Sequence, residues 1–323
     1  MNTRFFRLPL LGALLLRAPW LLADPTPTTT TPEKIGLTFS NEVIASSDTT
    51  LKADDSKYRH VTFVHSNWNL SQALSINQTS TLTFGLAYDL SAHQVSEPAG
   101  WEDDDFWKEY KRTHPDWNRV PLPKQLQSLT ASVEYARQIN DSWSVSTSVS
   151  TGSHVAGKKL LSNGWGTAAS IMGLYKWNPE VTLAIGAAYD SLSHDYRFVP
   201  LIGVDWQINP KWSAAIGFPS TAVTYAMTDN LTMALEASGS GGTFHVQEDP
   251  APGISPRSLA GSKLESTEIR LGYKVGWRIN STFSVSATTG NVLYREFKYI
   301  DHDYKLKSRD VSAFVAISGA ISF

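Results

Sequence analysis

The sequence predicts an all-β protein, an antiparallel β-barrel that crosses a membrane. Beyond the first 23 residues, no apolar stretch approaches the roughly 18 residues that a membrane helix needs. Between residues 34 and 323, segments of alternating apolar and polar residues are joined by short turns at one end and longer polar loops at the other. A closed sheet suits this profile because it pairs its backbone groups internally and exposes only alternate residues to lipid.

The N-terminus has the pattern of an export signal, which we assign to residues 1–23. Arg4 and Arg7 form a basic start, residues 8–16 form an apolar run, and Ala23 fits a cleavage position. The apolar run is too short to span a bilayer. The segment therefore predicts export through a signal peptide.

Composition limits the kinds of site that the chain can hold. The sequence has no cysteine, which excludes disulfides, thiolate metal ligands and a lipid-anchored start. Residues 1–23 contain three of the 28 basic residues and no acid, so the exported chain has 25 basic and 30 acidic residues. This balance gives no indication of nucleic-acid binding.

Residues 24–33, rich in proline and threonine, predict a short disordered lead-in, and residues 34–323 form the predicted barrel. Residues 82–89, 143–150 and 181–189 show the clearest alternation, with apolar side chains on one face and mainly serine, threonine, glycine and alanine on the other. In a soluble β-sandwich the outer face would carry many charges. We therefore expect the apolar face to contact lipid.

Short turns with Asn or Asp between apolar or aromatic strand ends predict the number of strands. The clear cases are residues 139–143, 177–181, 208–212, 227–231 and 279–283, and residues 76–82 give a weaker sixth case. Long loops at 92–124 and 239–263 join the other ends, as in outer-membrane barrels with short periplasmic turns. Six turns with both termini on one side favour 14 strands, while the short hairpin around Pro219 and Ser220 leaves 12 open.

The last strand carries a resemblance. Apolar residues alternate from residue 311 to Phe323, where the chain ends on an aromatic side chain, and Gly319 departs from the pattern. This resembles the terminal strand of outer-membrane proteins, whose final Phe is read by the barrel assembly machinery. The resemblance implies that Phe323 is an assembly signal.

A second resemblance concerns the middle of the chain. The segment Pro-Leu-Ile-Gly-Val-Asp-Trp at residues 200–206, followed by Trp212, Gly-Phe-Pro at 217–219 and Tyr225, is similar to an uncharacterised outer-membrane barrel family of unknown function. It implies a place in the outer membrane of a Gram-negative bacterium and contact with membrane lipid and lipopolysaccharide. It implies no activity and no ligand.

Charged residues at inward strand positions are the candidate functional residues. The outward apolar residues of 269–277 alternate with Arg270 and Lys274, and Glu268 and Arg278 flank them in the same inward row. Arg or Lys facing lipid at the bilayer midplane costs about 2 to 4 kcal/mol, so we expect these side chains to face the lumen. Further inward acids on other strands are Asp89, Glu134, Asp190, Asp205 and Glu236. They either line a water-filled pore or pair with one another and close the lumen, and the sequence leaves both alternatives open.

Other polar clusters point to no chemistry of their own. Acids between aromatics at 101–107 favour a solvated loop, with cation-bridged contact to lipopolysaccharide as the alternative. The histidines lack the spacing of a metal site. His65 with Ser66, and Ser191 near His194, contain the residue types of a hydrolase but match no hydrolase motif. We assign no catalytic, cofactor-binding or metal-binding residue and expect no enzyme.

The sequence thus predicts an outer-membrane β-barrel that is either a passive pore for small polar solutes or a structural membrane protein with a closed lumen. A barrel enzyme acting on lipid is the alternative, and a soluble secreted β-sandwich is a more distant one. The oligomeric state and the solute are not predicted.

Overall fold

The computed structural model describes residues 36–53, 56–98, 121–194, 197–251, 258–302 and 304–323. The predicted signal peptide, the lead-in and the acidic-aromatic stretch at 101–107 lie outside these residues, so those predictions stay open. Within the described ranges no helix is long and apolar enough to cross a membrane.

The described chain forms one sheet in which successive strands are neighbours and run antiparallel. The strands are β1 (Gly36–Ala53), β2 (Ser56–Asn77), β3 (Ser80–Pro98), β4 (Gln125–Gln138), β5 (Trp143–Ala156), β6 (Trp165–Lys176), β7 (Val181–Asp190), β8 (Phe198–Gln207), β9 (Trp212–Gly217), β10 (Ser220–Ala226), β11 (Leu231–Val246), β12 (Lys263–Arg278), β13 (Phe283–Tyr299), β14 (Tyr304–Ser308) and β15 (Ser312–Ser322). A single 3-10 turn, Ile300–His302, precedes β14 in this part of the chain.

The sheet closes on itself because β15 pairs with β1 from Thr38 opposite Ser322 to Ser46 opposite Phe314. β14 and β15 both lie between β13 and β1, so they are two parts of one interrupted strand. The described chain is therefore a closed antiparallel barrel of 14 strands. The preferred strand number is confirmed, and the hairpin of β9 and β10 supplies the pair that separates 14 from 12.

Strand register confirms the alternation that the sequence predicts. Phe84 lies opposite Val133, and both are exposed on the outer face together with Leu86. Their chain neighbours Thr83 and Gly85 share the opposite face with residues of β4. Large exposed tryptophans lie beside the short turns, where an interfacial belt would place them: Trp143, Trp177, Trp206, Trp212 and Trp277.

The short turns form because an asparagine side chain replaces missing backbone partners. Asn140 Oδ1 accepts hydrogen bonds from the backbone N–H groups of Ser142 and Trp143, each at 2.9 Å. The same arrangement repeats at Asn178, Asn209 and Asn280. These are the tight turns predicted from the sequence.

The wall of the barrel is uneven in height at the end that carries the longer loops. β2 has 22 residues, whereas β9 has six and β10 has seven. Above the short strands, β5 and β11 approach each other and pair in parallel at Val155–His245 and Ala156–Val246. At the loop end the ring is thus completed without β6 to β10, and it is narrower than the full barrel below.

A packed apolar cluster occupies this narrow end, and we call it the loop-end cluster. Its buried members are Leu51, Tyr58, Val61, Phe63, Leu122, Leu126, Ala156, Val246, Leu259, Leu264, Phe297, Tyr299 and Leu306. Tyr299 lies six residues beyond Leu293, the last exposed large apolar residue of β13, and its hydroxyl donates a 2.7 Å hydrogen bond to the Pro121 carbonyl. Burial, with Tyr304 and Asp249 nearby, holds the pKa of Tyr299 well above its usual value, so the hydroxyl keeps its proton.

Candidate functional site in the barrel lumen

Strand register places all nine predicted lumen residues on the face opposite the exposed apolar side chains. On β12, Arg270 lies opposite Ser238 and Lys274 opposite Ala234, while Leu271 and Tyr273 are exposed on the outer face. The acids on the other strands also lie on the inward face: Asp89, Glu134, Asp190, Asp205 and Glu236. Glu268 and Arg278 complete the inward row of β12.

The structure brings Glu268 and Arg270 together and adds Arg295, which the sequence analysis missed. Arg270 Nε donates to Glu268 Oε1, and Arg295 Nε donates to Glu268 Oε2 at 2.5 Å. We call these three residues the arginine–glutamate cluster. It lies directly below Phe63 of the loop-end cluster, whose ring is 3.9 Å from Arg295 Cζ.

A β-bulge explains why alternation did not reveal Arg295. The register on β12 and β13 shifts between Ile269 and Arg270, so Tyr294 pairs with Ile269 while Val292 pairs with Arg270. Leu293 is the extra residue, and it is exposed. Counting alternate residues up β13 therefore changes parity at the bulge, and Arg295 turns inward instead of outward.

Arg295 is one of the most deeply buried charged groups in the described chain, with 3% of its surface exposed. Besides Glu268, its Nη2 contacts Ser46 Oγ at 3.4 Å. Its Nη1 is buried and has no hydrogen-bond partner among the described residues. A buried guanidinium normally has all of its donors satisfied, so this nitrogen is an exception that needs an explanation.

Lower in the lumen, Lys274 and Glu236 form a looser pair. Lys274 Nζ is 3.9 Å from Glu236 Oε2, and the two side chains are 29% and 31% exposed. Neighbouring side chains therefore enclose this pair only in part. An ion pair with this exposure contributes little to stability.

Asp89 belongs to a polar network on β2, β3 and β4. It accepts hydrogen bonds from Asn67 Nδ2 at 2.5 Å and from Ser128 Oγ at 3.2 Å, and His65 Nε2 lies 3.9 Å away. Register places Glu42 opposite Asn67, which puts a further acid on the inward face. Glu42 was not among the predicted inward residues because β1 lacks a clear apolar face.

The remaining predicted residues stay apart from these pairs. Glu134 lies opposite Thr83 and Ser148, and Asp205 lies opposite Thr182 and Ala215. Asp190 accepts the backbone N–H of Leu192 at 2.9 Å in the β7–β8 connection. Within the described ranges these three acids and Arg278 form no ion pair, so the structure unites four of the nine predicted residues in two separate groups.

The interior also has an apolar patch that alternation did not predict. Met172, Ala188, Val199 and Leu201 of β6 to β8 pack together on the inward face and are buried. Small and polar residues therefore do not cover the whole lumen. Residue size at inward positions varies along the strands, and periodicity alone carries no information on size.

Two residue pairs contain the residue types of a hydrolase, namely His65 with Ser66 and Ser191 with His194. His65 pairs with Ile44 and Ser66 with Val43, which places the two side chains on opposite faces of β2. Ser191 Oγ accepts the backbone N–H of Thr167 at 2.8 Å. Among the residues that the structure describes, no group of three His, Asp or Glu side chains is placed to hold a metal ion.

Comparison with known families now identifies the group. Residues 107–309 match the model of a family described as a domain of unknown function, DUF6268. The chain belongs to this family. The match includes the segments at 200–225 that resemble an uncharacterised barrel family, and it assigns no activity. No curated protein sequence matches the chain.

Solved structures with the same kind of fold are distant in sequence. The COG4313 outer membrane channel from Pseudomonas putida F1 has 12% identity and a TM-score of 0.45, covering 93% of this chain and 100% of that chain. A Pseudomonas aeruginosa FadL homologue has 11% identity and a TM-score of 0.47, with 90% of each chain covered. LpxR from Salmonella typhimurium has 9% identity and a TM-score of 0.36, covering 89% of this chain and 100% of that chain.

Proposed function

We propose that the protein is an outer-membrane β-barrel that acts as a passive pore for small polar solutes. The width of its short-turn half is the observation that supports this most. An eight-stranded barrel is just filled by its inward side chains, and the diameter grows roughly in proportion to strand number. A 14-stranded barrel whose inward positions are largely serine, threonine, alanine and glycine leaves room for water.

Inward residues in this half agree with a wet interior. The hydroxyl groups of Ser148 and Ser170 meet across β5 and β6 at 2.8 Å, and those of Ser286 and Ser318 meet across β13 and β15 at 2.6 Å. Lys274 and Glu236 are partly solvent-exposed. Hydroxyls and solvated charges are the groups that line aqueous channels of barrels.

The proposed membrane is the bacterial outer membrane, reached by export through the predicted signal. A closed barrel with an exposed apolar outer face and no free strand edge suits that membrane, and its outer face would contact lipid and lipopolysaccharide. Barrel assembly would proceed through β15, which closes the sheet against β1 and is followed directly by the 71% exposed Phe323.

A change at Phe323 tests the proposed assembly signal. Phe323→Asp should lower the amount of folded, heat-modifiable barrel in outer membranes several-fold while leaving export intact. The matched control is Phe283→Asp, which puts the same charge at an exposed aromatic residue on the end of the neighbouring strand β13, opposite Ile321. Normal amounts of folded barrel for Phe323→Asp would contradict the proposal that Phe323 is an assembly signal.

The loop-end cluster supports a second candidate, a structural barrel with a closed lumen. Thirteen buried side chains fill the narrow end, and Arg295 lies beneath them. If this packing never opens, solutes reach the lumen only from the short-turn side. The two candidates share location and fold and differ in conductance.

Planar-bilayer recording of the refolded full chain distinguishes them. A pore gives discrete current steps that scale with salt concentration, and the closed barrel gives none. A variant that loosens the loop-end cluster, Leu264→Ala, should raise single-channel conductance if that cluster limits flow. Folded, heat-modifiable protein that inserts and gives no current in either form would refute the pore.

A further inference from the structure

We propose that the arginine–glutamate cluster is a binding site for a small anion that carries a carboxylate or phosphate group. The inference deepens the proposed function by naming a class of solute. It rests on that function only for the path by which the anion enters the lumen. It is carried by the charge balance of the cluster, by its unused hydrogen-bond donors and by its position in the lumen.

The charges of the cluster do not balance. Two guanidinium groups share one carboxylate, because Arg270 and Arg295 both pair with Glu268. No other acid of the described chain forms an ion pair with either arginine. One positive charge is therefore left over in a region where Arg295 is almost fully buried. A buried charge without compensation costs several kcal/mol, and a bound anion would offset this cost.

Hydrogen-bond donors are left over as well. Among the described residues, Arg295 Nη1 is buried without a hydrogen-bond partner. Arg270 donates to these residues through its Nε, and its two Nη groups have no hydrogen-bond partner among them. A guanidinium presents its donors as a planar fork that matches carboxylate and phosphate oxygens in pairs. The donors of the cluster that lack protein partners are thus of the type that binds such an anion.

The position of the cluster gives the anion a route. Arg270 has 15% of its side chain exposed against 4% for Arg295, so Arg270 is the more accessible of the two arginines. Lys274 lies four residues nearer the short-turn end of β12, about 13 Å along an extended strand. An anion entering from the short-turn side thus passes Lys274 and reaches Arg270 first. Arg270 contacts the anion, and Arg295 with Glu268 holds Arg270 in place.

Thermal unfolding of the refolded full chain tests the site without any current measurement. In neutral detergent, saturating phosphate or acetate should raise the half-unfolding temperature of the parent by about 2 to 4 °C over chloride at equal ionic strength. Arg270→Gln leaves one arginine with one glutamate, so its response should disappear. Lys274→Gln, the matched control on the same strand, should keep the parent response.

Two further variants protect the test against a folding defect in Arg270→Gln. Arg270→Lys keeps the charge but loses the paired donors, so about tenfold more anion should be needed for half of the shift. Glu268→Gln raises the surplus to two positive charges and keeps a side-chain oxygen that can still accept a hydrogen bond from an arginine, so it should increase the shift. A response to phosphate alone or to acetate alone supports the site and identifies its preferred group.

Two results would overturn the site: a parent barrel whose unfolding ignores both anions, or an undiminished response in Arg270→Gln. Conductance of the same preparation is recorded separately. A barrel that is stabilised by anions but does not conduct would support the anion site and contradict the pore. A barrel that conducts but is not stabilised by either anion would support the pore and contradict the anion site.

Discussion

The two halves of the barrel are built from the same strands but are filled differently. β12 shows the contrast within one strand: Leu264 at the loop end is completely buried, whereas Lys274 towards the short turns has a partly exposed side chain. Both residues face inward in the register of β11 and β12. Orientation is therefore the same in both halves, and residue size and local width decide whether inward side chains are fully packed or partly exposed.

The loop-end half gains part of its packing from the connections between strands. Leu122 and Leu259 belong to the connections after β3 and β11, yet both are buried with strand residues such as Phe63 and Tyr299. The contact of β5 with β11 narrows the ring enough for these side chains to meet. In the short-turn half the connections are tight turns, which cannot reach the interior. The difference teaches that connections and strand residues together pack the loop end, whereas tight turns add nothing to the interior at the other end.

Removing a large side chain should affect the two environments unequally. Leu264→Ala is expected to lower the free energy of unfolding by about 2 to 5 kcal/mol, because it leaves a cavity in the loop-end cluster. Leu271→Ala, on the outer face of the same strand, leaves no cavity and should cost clearly less. Urea unfolding of both refolded variants in detergent measures the difference. Equal losses would mean that the loop-end cluster is not packed as a core.

Opening the contact between β5 and β11 should produce a smaller effect. Gln247 Nε2 donates to the Lys159 carbonyl at 2.5 Å and to Ser162 Oγ at 2.8 Å, which joins the β11–β12 and β5–β6 connections. Gln247→Ala should lower stability by about 1 to 2 kcal/mol and raise amide hydrogen exchange in residues 157–164.

The control for that change is a glutamine whose hydrogen bonds stay within one turn. Gln207 Nε2 donates to the Asn209 carbonyl at 2.6 Å and to the Trp212 carbonyl at 3.3 Å in the short-turn half. Gln207→Ala should leave exchange at the loop end unchanged. If both variants leave residues 157–164 equally protected, the side chain of Gln247 is not what closes the ring.

The sequence predicted the short-turn half well for a physical reason. There, alternation with a period of two and Asn-based turns are local properties, and they determined strand number, orientation and the inward row of β12. Glu268 with Arg270, and Glu236 with Lys274, were all among the predicted inward charges, although their pairing needed the register between strands.

The loop-end half was less predictable because its contacts join distant parts of the chain. The contact of Arg295 Nη2 with Ser46 spans 249 residues, and that of Tyr299 with Pro121 spans 178. The bulge at Leu293 also reverses the parity on which an alternation argument depends. The small inward residues predicted in the short-turn half could not show that Phe63 and Phe297 fill the loop end.

The smallest effect on stability, and the sharpest probe of the wet half, is expected from charge reversal at Lys274. Its pair with Glu236 is long and about one-third exposed, so Lys274→Glu should cost about 0 to 1 kcal/mol and leave folding intact. If the lumen conducts, the reversal of one charge in a narrow, low-dielectric passage should move ion selectivity towards cations.

Three variants turn this selectivity into a graded measurement. The reversal potential in a salt gradient should shift towards cations for Lys274→Gln, further for Lys274→Glu, and in the opposite direction for Glu236→Gln, because the field in the lumen follows the net charge at this level. High salt should shrink all three shifts through screening. If Lys274→Glu folds, conducts as the parent does and is equally stable, Lys274 does not face the conducting space. The assignment of the short-turn half as the wet half of the barrel would then have to be abandoned.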